Sequence, residues 1–162
     1  MERTDRTPTA RLTGSAGVAL PGEPQALDWG LALGVSLSNF AATKINASTE
    51  GFVRARQFTR DHLQRWSLER ITDDVLSVVG ELTANAVCHT GACREGAWLA
   101  LATSPRSVMC IVRDPSTRSP TPRHAELLDP GGRGLGLVSL LSAVWGWHAD
   151  NNGKAVWARV PI

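Results

Sequence analysis

Three polar residues recur at four-residue spacing in the middle of the chain, at Glu81, Asn85 and His89. On a helix they would form one stripe that borders the core, about 90° from the centre of the apolar face. The apolar residues of the same segment are Val75, Val79, Leu82 and Ala86. Asn85 could offer an oxygen to magnesium, and Glu81 could deprotonate an attacking hydroxyl or water. The alternative is an ordinary polar helix flank, with His89 capping the helix C-terminus.

A further acidic residue, Asp114, ends the apolar run IVRD and is followed directly by Pro115, which stops a strand. A carboxylate in this position could accept a hydrogen bond from an exocyclic amine such as that of adenine. Because an unpaired buried acceptor costs more than the bond contributes, such a contact would give specificity. A turn aspartate that binds no ligand is the alternative.

A glycine-rich loop, GGRGLGLV at residues 131–138, leads into a helix-like run. Its spaced glycines are Gly132, Gly134 and Gly136. They would let backbone amides approach a polyphosphate beside a helix N-terminus, and Arg133 could add positive charge. The loop lacks the Lys and Ser/Thr of a Walker motif, and Leu137 takes the place of a glycine in the dinucleotide fingerprint. A flexible turn is the alternative.

The hydrophobic pattern predicts the elements that position these residues. Their predicted order is strand (27–40), helix (about 16 residues from Ser48 or Thr49), helix (Thr72–Val87), strand (97–102), strand (108–112), loop (115–131), helix (134–143), strand (around Trp145 and Trp147) and strand (155–160). Ser48 or Thr49 should cap the first helix and Thr72 the second. This order predicts a two-layer α+β sandwich, with helices on one face of a mixed, mostly antiparallel sheet.

The bulk properties narrow the class of protein. A chain of 162 residues fits one domain, which we place at residues 26–162 after a disordered tail at 1–25 that is rich in Thr, Pro, Gly and Arg. The formal net charge of +2 gives no electrostatic reason to expect nucleic acid or a membrane surface as a partner. No apolar run of about eighteen residues is present, so we expect no membrane helix.

The cysteines point to a reducing compartment. An odd number, three, argues against a disulfide framework and for the cytoplasm. Cys88, His89 and Cys93 could bind zinc, but they lack the fourth ligand of a closed site. Buried core thiols explain the cysteines more simply.

Four segments together resemble the GHKL, or Bergerat-type, ATP-binding fold of histidine kinases, type II topoisomerases and heat-shock chaperones. They are ELTANAVCHT (Glu81–Thr90), VRDPSTRSP (Val112–Pro120), GRGLGLVSLLSAVWGW (Gly132–Trp147) and GKAVWARV (Gly153–Val160). They are most similar to the N-box, adenine box, glycine box and closing strand of anti-sigma-factor serine kinases and their actinobacterial relatives. The resemblance covers roughly residues 48–160.

The resemblance implies ATP and Mg²⁺ as cofactors, Glu81 as catalytic base and Asn85 as magnesium ligand. The residues that it implies for the nucleotide are Asn85, His89, Asp114, Gly132, Arg133, Gly134, Leu135, Gly136 and Lys154. Two positions depart from the family pattern. Ser116 stands where a glycine is usual, which would alter the packing of adenine, and Ala155 stands where a threonine is usual, which would change contacts near the nucleotide.

The implied function is an ATP-dependent protein serine/threonine kinase that acts as an anti-sigma-factor-type switch. Its expected partners are a small anti-sigma-factor antagonist protein and a sigma factor, with no direct nucleic-acid or membrane contact. The resemblance also allows a homodimer. The alternative is a non-catalytic ATP-binding regulator that sequesters a protein partner without phosphorylating it.

Overall fold

A computed structural model describes residues 37–88, 96–115, 134–150 and 153–162. The predicted N-terminal tail and the predicted loop beyond Pro115 lie outside these ranges. None of the described helices is both long and apolar enough to cross a membrane.

Five described strands form one sheet in the order β1-β2-β3-β5-β4, and every pairing between them is antiparallel. The strands are β1 (Asn39–Ile45), β2 (Ala97–Ser104), β3 (Ser107–Asp114), β4 (Val144–Asp150) and β5 (Gly153–Pro161). The helices are α1 (Thr49–Arg65), α2 (Thr72–Cys88) and α3 (Gly134–Leu141). The predicted α+β fold and order of elements are confirmed.

Side chains alternate between the two faces of the sheet, and each face has its own apolar cluster. The first face packs against residues of all three helices. Its buried strand residues are Ile45, Ala97, Leu99, Leu101, Val108, Cys110, Val112, Val156, Ala158 and Val160. The second face carries Ala100, Ala102, Met109, Ile111, Ala155 and Trp157. The helices therefore form one layer on the first face, as predicted.

α2 is central to this layer, since it contacts α1, α3 and β3. The predicted apolar stripe is confirmed, because its residues are buried in the core: Val75, Val79, Leu82 and Ala86. Glu81 and Asn85 are half-buried, as expected for side chains at the margin of that stripe.

The start of α1 confirms the predicted cap. Ser48 has an extended backbone, and its hydroxyl accepts a hydrogen bond from the Gly51 N–H at 3.0 Å. The prediction for α2 is wrong in one respect. Thr72 already has helical angles (φ −56°, ψ −44°) and follows a 3₁₀ turn at Glu69–Ile71, so it is not an N-cap.

The first strand also differs from the prediction. β1 begins at Asn39 and continues to Ile45, whereas the sequence predicted a strand within 27–40. Residues 41–45 have the sequence AATKI. Because most of these side chains are small or charged, the segment shows no apolar alternation that would predict a strand. Residues 27–36 lie outside the described ranges.

The chain path brings the start of α1 and the end of α2 to one end of the strands, where β1 and β3 end and β2 and β5 begin. We call this end of the sheet the Asp114 edge. At this edge Ile45 pairs with Ala97, and Asp114 pairs with Lys154. α1 starts here, directly after β1, and the short connection at 66–71 sends α2 back towards the same edge. α3 precedes β4, whose first residue pairs with Arg159 near the opposite edge. The C-terminal turns of α2 are therefore directed towards the Asp114 edge, and α3 packs beside α2.

Candidate functional site

Asp114 and Lys154 form a buried ion pair at this edge. Asp114 ends β3, Lys154 lies opposite it on β5, and Lys154 Nζ is 3.6 Å from Asp114 Oδ2. Their side chains are each only 2% exposed. Since Asp114 follows Val112 by two residues and Lys154 precedes Val156 by two, both side chains lie on the first, helix-covered face.

Gly153 allows the two strands to approach closely beside this pair. Its φ of 139° is unfavourable for residues with a side chain. A Cβ at this position would collide with the backbone oxygen of Asp114 and would lie 2.9 Å from Pro115 Cα. Glycine at this position therefore holds the backbone before Lys154 against the end of β3.

Asn85 presents a buried polar atom from the C-terminal half of α2. Its Nδ2 is buried and has no hydrogen-bond partner among the described residues. A half turn about the last side-chain bond exchanges nitrogen and oxygen, so the same position can offer either a donor or an oxygen ligand. Leaving such a group unsatisfied costs free energy, which a polar ligand would recover.

Glu81 precedes Asn85 by one helical turn and is half-buried. Burial raises the pKa of its carboxyl above the ordinary value, because the charged form loses hydration. A carboxylate with a raised pKa is a stronger proton acceptor than a solvated one. This property suits a general base.

α3 supplies the described part of the glycine-rich segment. The helix begins at Gly134. The side chain of Leu135 is buried, whereas Gly136 is exposed. A Cβ at Gly136 would meet no atom within 4 Å, so packing does not require glycine there. The exposed backbone at Gly136 is therefore open to close approach by a ligand.

Comparison with protein families supplies the deciding observation. Residues 45–160 match the model of the histidine kinase-like ATPase domain. The chain belongs to this family. A comparison with curated proteins finds no significant match. The matched range includes all the described helices and strands β2 to β4. It also includes the last residue of β1 and all of β5 except Pro161.

As a histidine kinase-like ATPase domain, the protein is expected to bind ATP, and the edge at Asp114 offers chemistry that fits this ligand. A buried carboxylate can accept from an amine of a base, and a buried ammonium can donate to a ring nitrogen or an oxygen. The start of α3 carries backbone N–H groups of the kind that favour phosphate.

The described residues at this edge offer few ligands for a metal ion. The described residues contain no group of three or more His, Cys, Asp or Glu side chains that could hold a metal ion by itself. Magnesium commonly keeps waters and shares phosphate oxygens, so one side-chain oxygen, such as that of Asn85, is a sufficient protein contribution. The described residues therefore fit magnesium that arrives with a nucleotide.

The position of Ala155 corrects an expectation about the family's usual threonine. Ala155 is buried in the cluster of the second face, so its side chain lies across the sheet from Asp114. This departure therefore does not lie on the side of the sheet that carries Asp114. Lys154, one residue earlier, faces Asp114 instead. The other departure, Ser116, lies outside the described ranges.

The structure describes only part of the residue set that the sequence implied. Asp114 and Lys154 are in contact, and Glu81 and Asn85 lie on the helix that covers the same face. The predicted nucleotide residues outside the described ranges are His89, Gly132 and Arg133. The zinc alternative rests on His89, Cys93 and the side chain of Cys88, which also fall outside the description.

The sequence did not predict the ion pair between Asp114 and Lys154. Asp114 and Lys154 were each connected with the nucleotide, but nothing in the linear order showed that they face one another. The signal that could have suggested it is the lysine at the start of an apolar strand, KAVWARV. A lysine buried in a sheet requires a counter-charge.

Proposed function

We propose that this protein is an ATP-dependent protein serine/threonine kinase that acts as a regulatory switch of the anti-sigma-factor type. Membership of the histidine kinase-like ATPase family supports ATP as the phosphoryl donor. The serine/threonine chemistry and the switch role are supported by the resemblance of its motifs to those of actinobacterial anti-sigma-factor kinases.

The observation that carries the proposal is the half-buried carboxylate of Glu81, one turn before Asn85 on α2. Its raised pKa makes it a better base, suited to take the proton of a serine or threonine hydroxyl as that oxygen attacks the terminal phosphate of ATP. The proton moves to the Glu81 carboxylate, the phosphate is transferred to the hydroxyl oxygen, and ADP leaves.

Binding is assigned to other residues in this proposal. Asp114 accepts a hydrogen bond from the amine of adenine, and Lys154 lies against Asp114 on the same edge. Asn85 would hold magnesium, which offsets phosphate charge when it is bound with the nucleotide. The start of α3, with Gly134 and Gly136, is assigned to the phosphates because helix N-termini attract anions.

The proposed substrate is a small anti-sigma-factor antagonist protein that presents a serine or threonine hydroxyl, and a sigma factor is the second proposed partner. A homodimer is a further expectation. These partners are supported by the motif resemblance alone, so the experiment must identify them directly.

The test is a pull-down with the full chain, with and without ATP and magnesium, followed by transfer of labelled phosphate from ATP to the recovered proteins. We expect serine or threonine labelling by the wild type and by Glu69→Gln, a control at an exposed glutamate. Glu81→Gln should retain the partner and lose transfer. A wild type that binds ATP and partner but transfers no phosphate would assign the non-catalytic regulator instead.

A further inference from the structure

The second face of the sheet is buried although none of the described helices lies on it. Its six core residues range from fully buried to 6% exposed: Ala100, Ala102, Met109, Ile111, Ala155 and Trp157. No described helix residue belongs to this cluster, whereas residues of all three helices belong to the cluster of the first face. Among the described residues, no element outside the sheet therefore covers the second face.

The first described residues show where the preceding chain enters. Leu37 packs against the cluster of the second face, together with Phe40 and Ala42 of β1. The Ser38 N–H donates to the Thr103 oxygen at 2.7 Å, which fixes this entry beside the end of β2. Leu37, the first described residue, therefore lies at the second face.

The sequence of that segment has a strict two-residue period. Its large apolar residues occupy the odd positions: Leu27, Trp29, Leu31, Leu33 and Val35. The even positions hold small or polar residues: Asp28, Gly30, Ala32, Gly34 and Ser36. This alternation is typical of an extended segment with one apolar side, and Leu37 is the next member of the odd series.

We propose that residues 27–36 form the cover of the second face, as an extended segment whose odd-numbered side chains turn towards the sheet. The face fits this occupant, because the alanines at 100, 102 and 155 leave depth for large side chains. With its partly buried neighbours, the cluster extends from β1 to β4, which is four strand spacings or about 19 Å. Ten extended residues reach about 33 Å, so the segment is long enough.

The first test asks which side of the segment is buried. In the full chain, Leu31→Asp should lower the melting temperature by about 5 °C or more, because it places a charge against an apolar face. The matched control Ala32→Asp lies on the other side and should leave the melting temperature nearly unchanged. Equal losses in the two variants would overturn the proposal.

The second test asks what Leu31 covers, and uses milder variants that keep the fold. Leu31→Ala combined with Met109→Ala, on the second face, should lower the melting temperature by less than the sum of the single losses. Leu31→Ala combined with Val108→Ala, on the first face, should give additive losses. Additive losses in both pairs would overturn the proposal.

A second copy of the chain is the competing occupant of this face. Light scattering of the wild type and of Leu31→Ala should give the same molar mass, and their difference in melting temperature should not depend on protein concentration. A lower mass for the variant, or a difference that grows on dilution, would assign the cover to another copy. Affinity for ATP should not change, because Asp114 lies on the other face.

Discussion

Lys154 is the cross-strand neighbour of Asp114, and its Nζ lies 3.6 Å from Asp114 Oδ2 in a region closed to solvent. Two opposite charges are thus buried at the residue that we assign to adenine. Burial of one charge without the other would be costly, because hydration is lost and no counter-charge replaces it. The pair therefore links the stability of the adjoining ends of β3 and β5 to the residue that would recognise the base.

This relationship predicts an asymmetry between single and double variants. Asp114→Asn should lower the free energy of unfolding by about 3 kcal/mol, because the Lys154 ammonium is left buried without its counter-charge. Asp114→Asn/Lys154→Met removes both charges and should recover most of that loss. Urea denaturation of the wild type, the single variant and the double variant measures the effect. A double variant that is as unstable as Asp114→Asn would show that the pair is not coupled.

Glu81→Gln should separate catalysis from folding. The proposed base predicts a fall in phosphotransfer of about 10² to 10⁴-fold, with ATP binding retained. In the wild type, transfer should decline as the pH falls through the raised pKa of Glu81, because protonation removes the base. Phosphotransfer by Glu81→Gln at the wild-type rate would contradict the assignment.

The same carboxyl gives a pH-dependent difference in stability. Because its pKa is higher in the folded than in the unfolded state, the folded protein binds this proton more tightly. The charged carboxylate thus lowers wild-type stability at neutral pH, and this cost disappears as the pH falls through the raised pKa. Urea denaturation from pH 8 to 4 should show Glu81→Gln losing its advantage over the wild type. An advantage that grows towards low pH would contradict this.

Gly136→Ala tests whether this glycine serves a ligand. A Cβ there meets no atom within 4 Å, so folding should be unaffected or stabilised by about 0.5 kcal/mol. ATP affinity, measured by calorimetry, should nevertheless fall. Gly80→Ala in α2 is the matched control, since its Cβ also meets nothing within 4 Å. Unchanged affinity in Gly136→Ala would remove this residue from the proposed site.

Cys110 should be chemically silent in the folded protein. It is a fully buried free thiol, and burial raises its pKa to about 12. At pH 8 only about one molecule in 10⁴ would carry the reactive thiolate. Alkylation followed by peptide mass analysis should leave Cys110 unmodified in the native protein and modified in urea. Rapid native labelling would show that β3 opens readily.

Much of the fold follows from local patterns in the sequence. The apolar spacing of Val75, Val79 and Leu82 predicted α2 and its buried side, and Ser48 predicted the start of α1. Both depend on residues close in the chain, where helix geometry alone decides. The position of Glu81 and Asn85 at the core margin followed from the same geometry.

The relationships that failed to emerge from the sequence depend on distant segments. The register of β3 on β5 sets both the contact between Asp114 and Lys154 and the position of Ala155 on the second face. A shift of one residue would exchange the faces, and the sequence does not fix that shift locally. The full extent of β1 was also missed, because residues 41–45 lack the apolar alternation that marks residues 27–35.

The most direct test of the central claim compares two nucleotides by calorimetry in the presence of magnesium. Inosine triphosphate carries an oxygen in place of the exocyclic amine of ATP, so it offers no donor to the Asp114 carboxylate. We predict that the wild type binds ATP about tenfold or more tightly than inosine triphosphate, and that Asp114→Asn/Lys154→Met loses this preference. Equal affinity of the wild type for the two nucleotides would contradict recognition of adenine by Asp114.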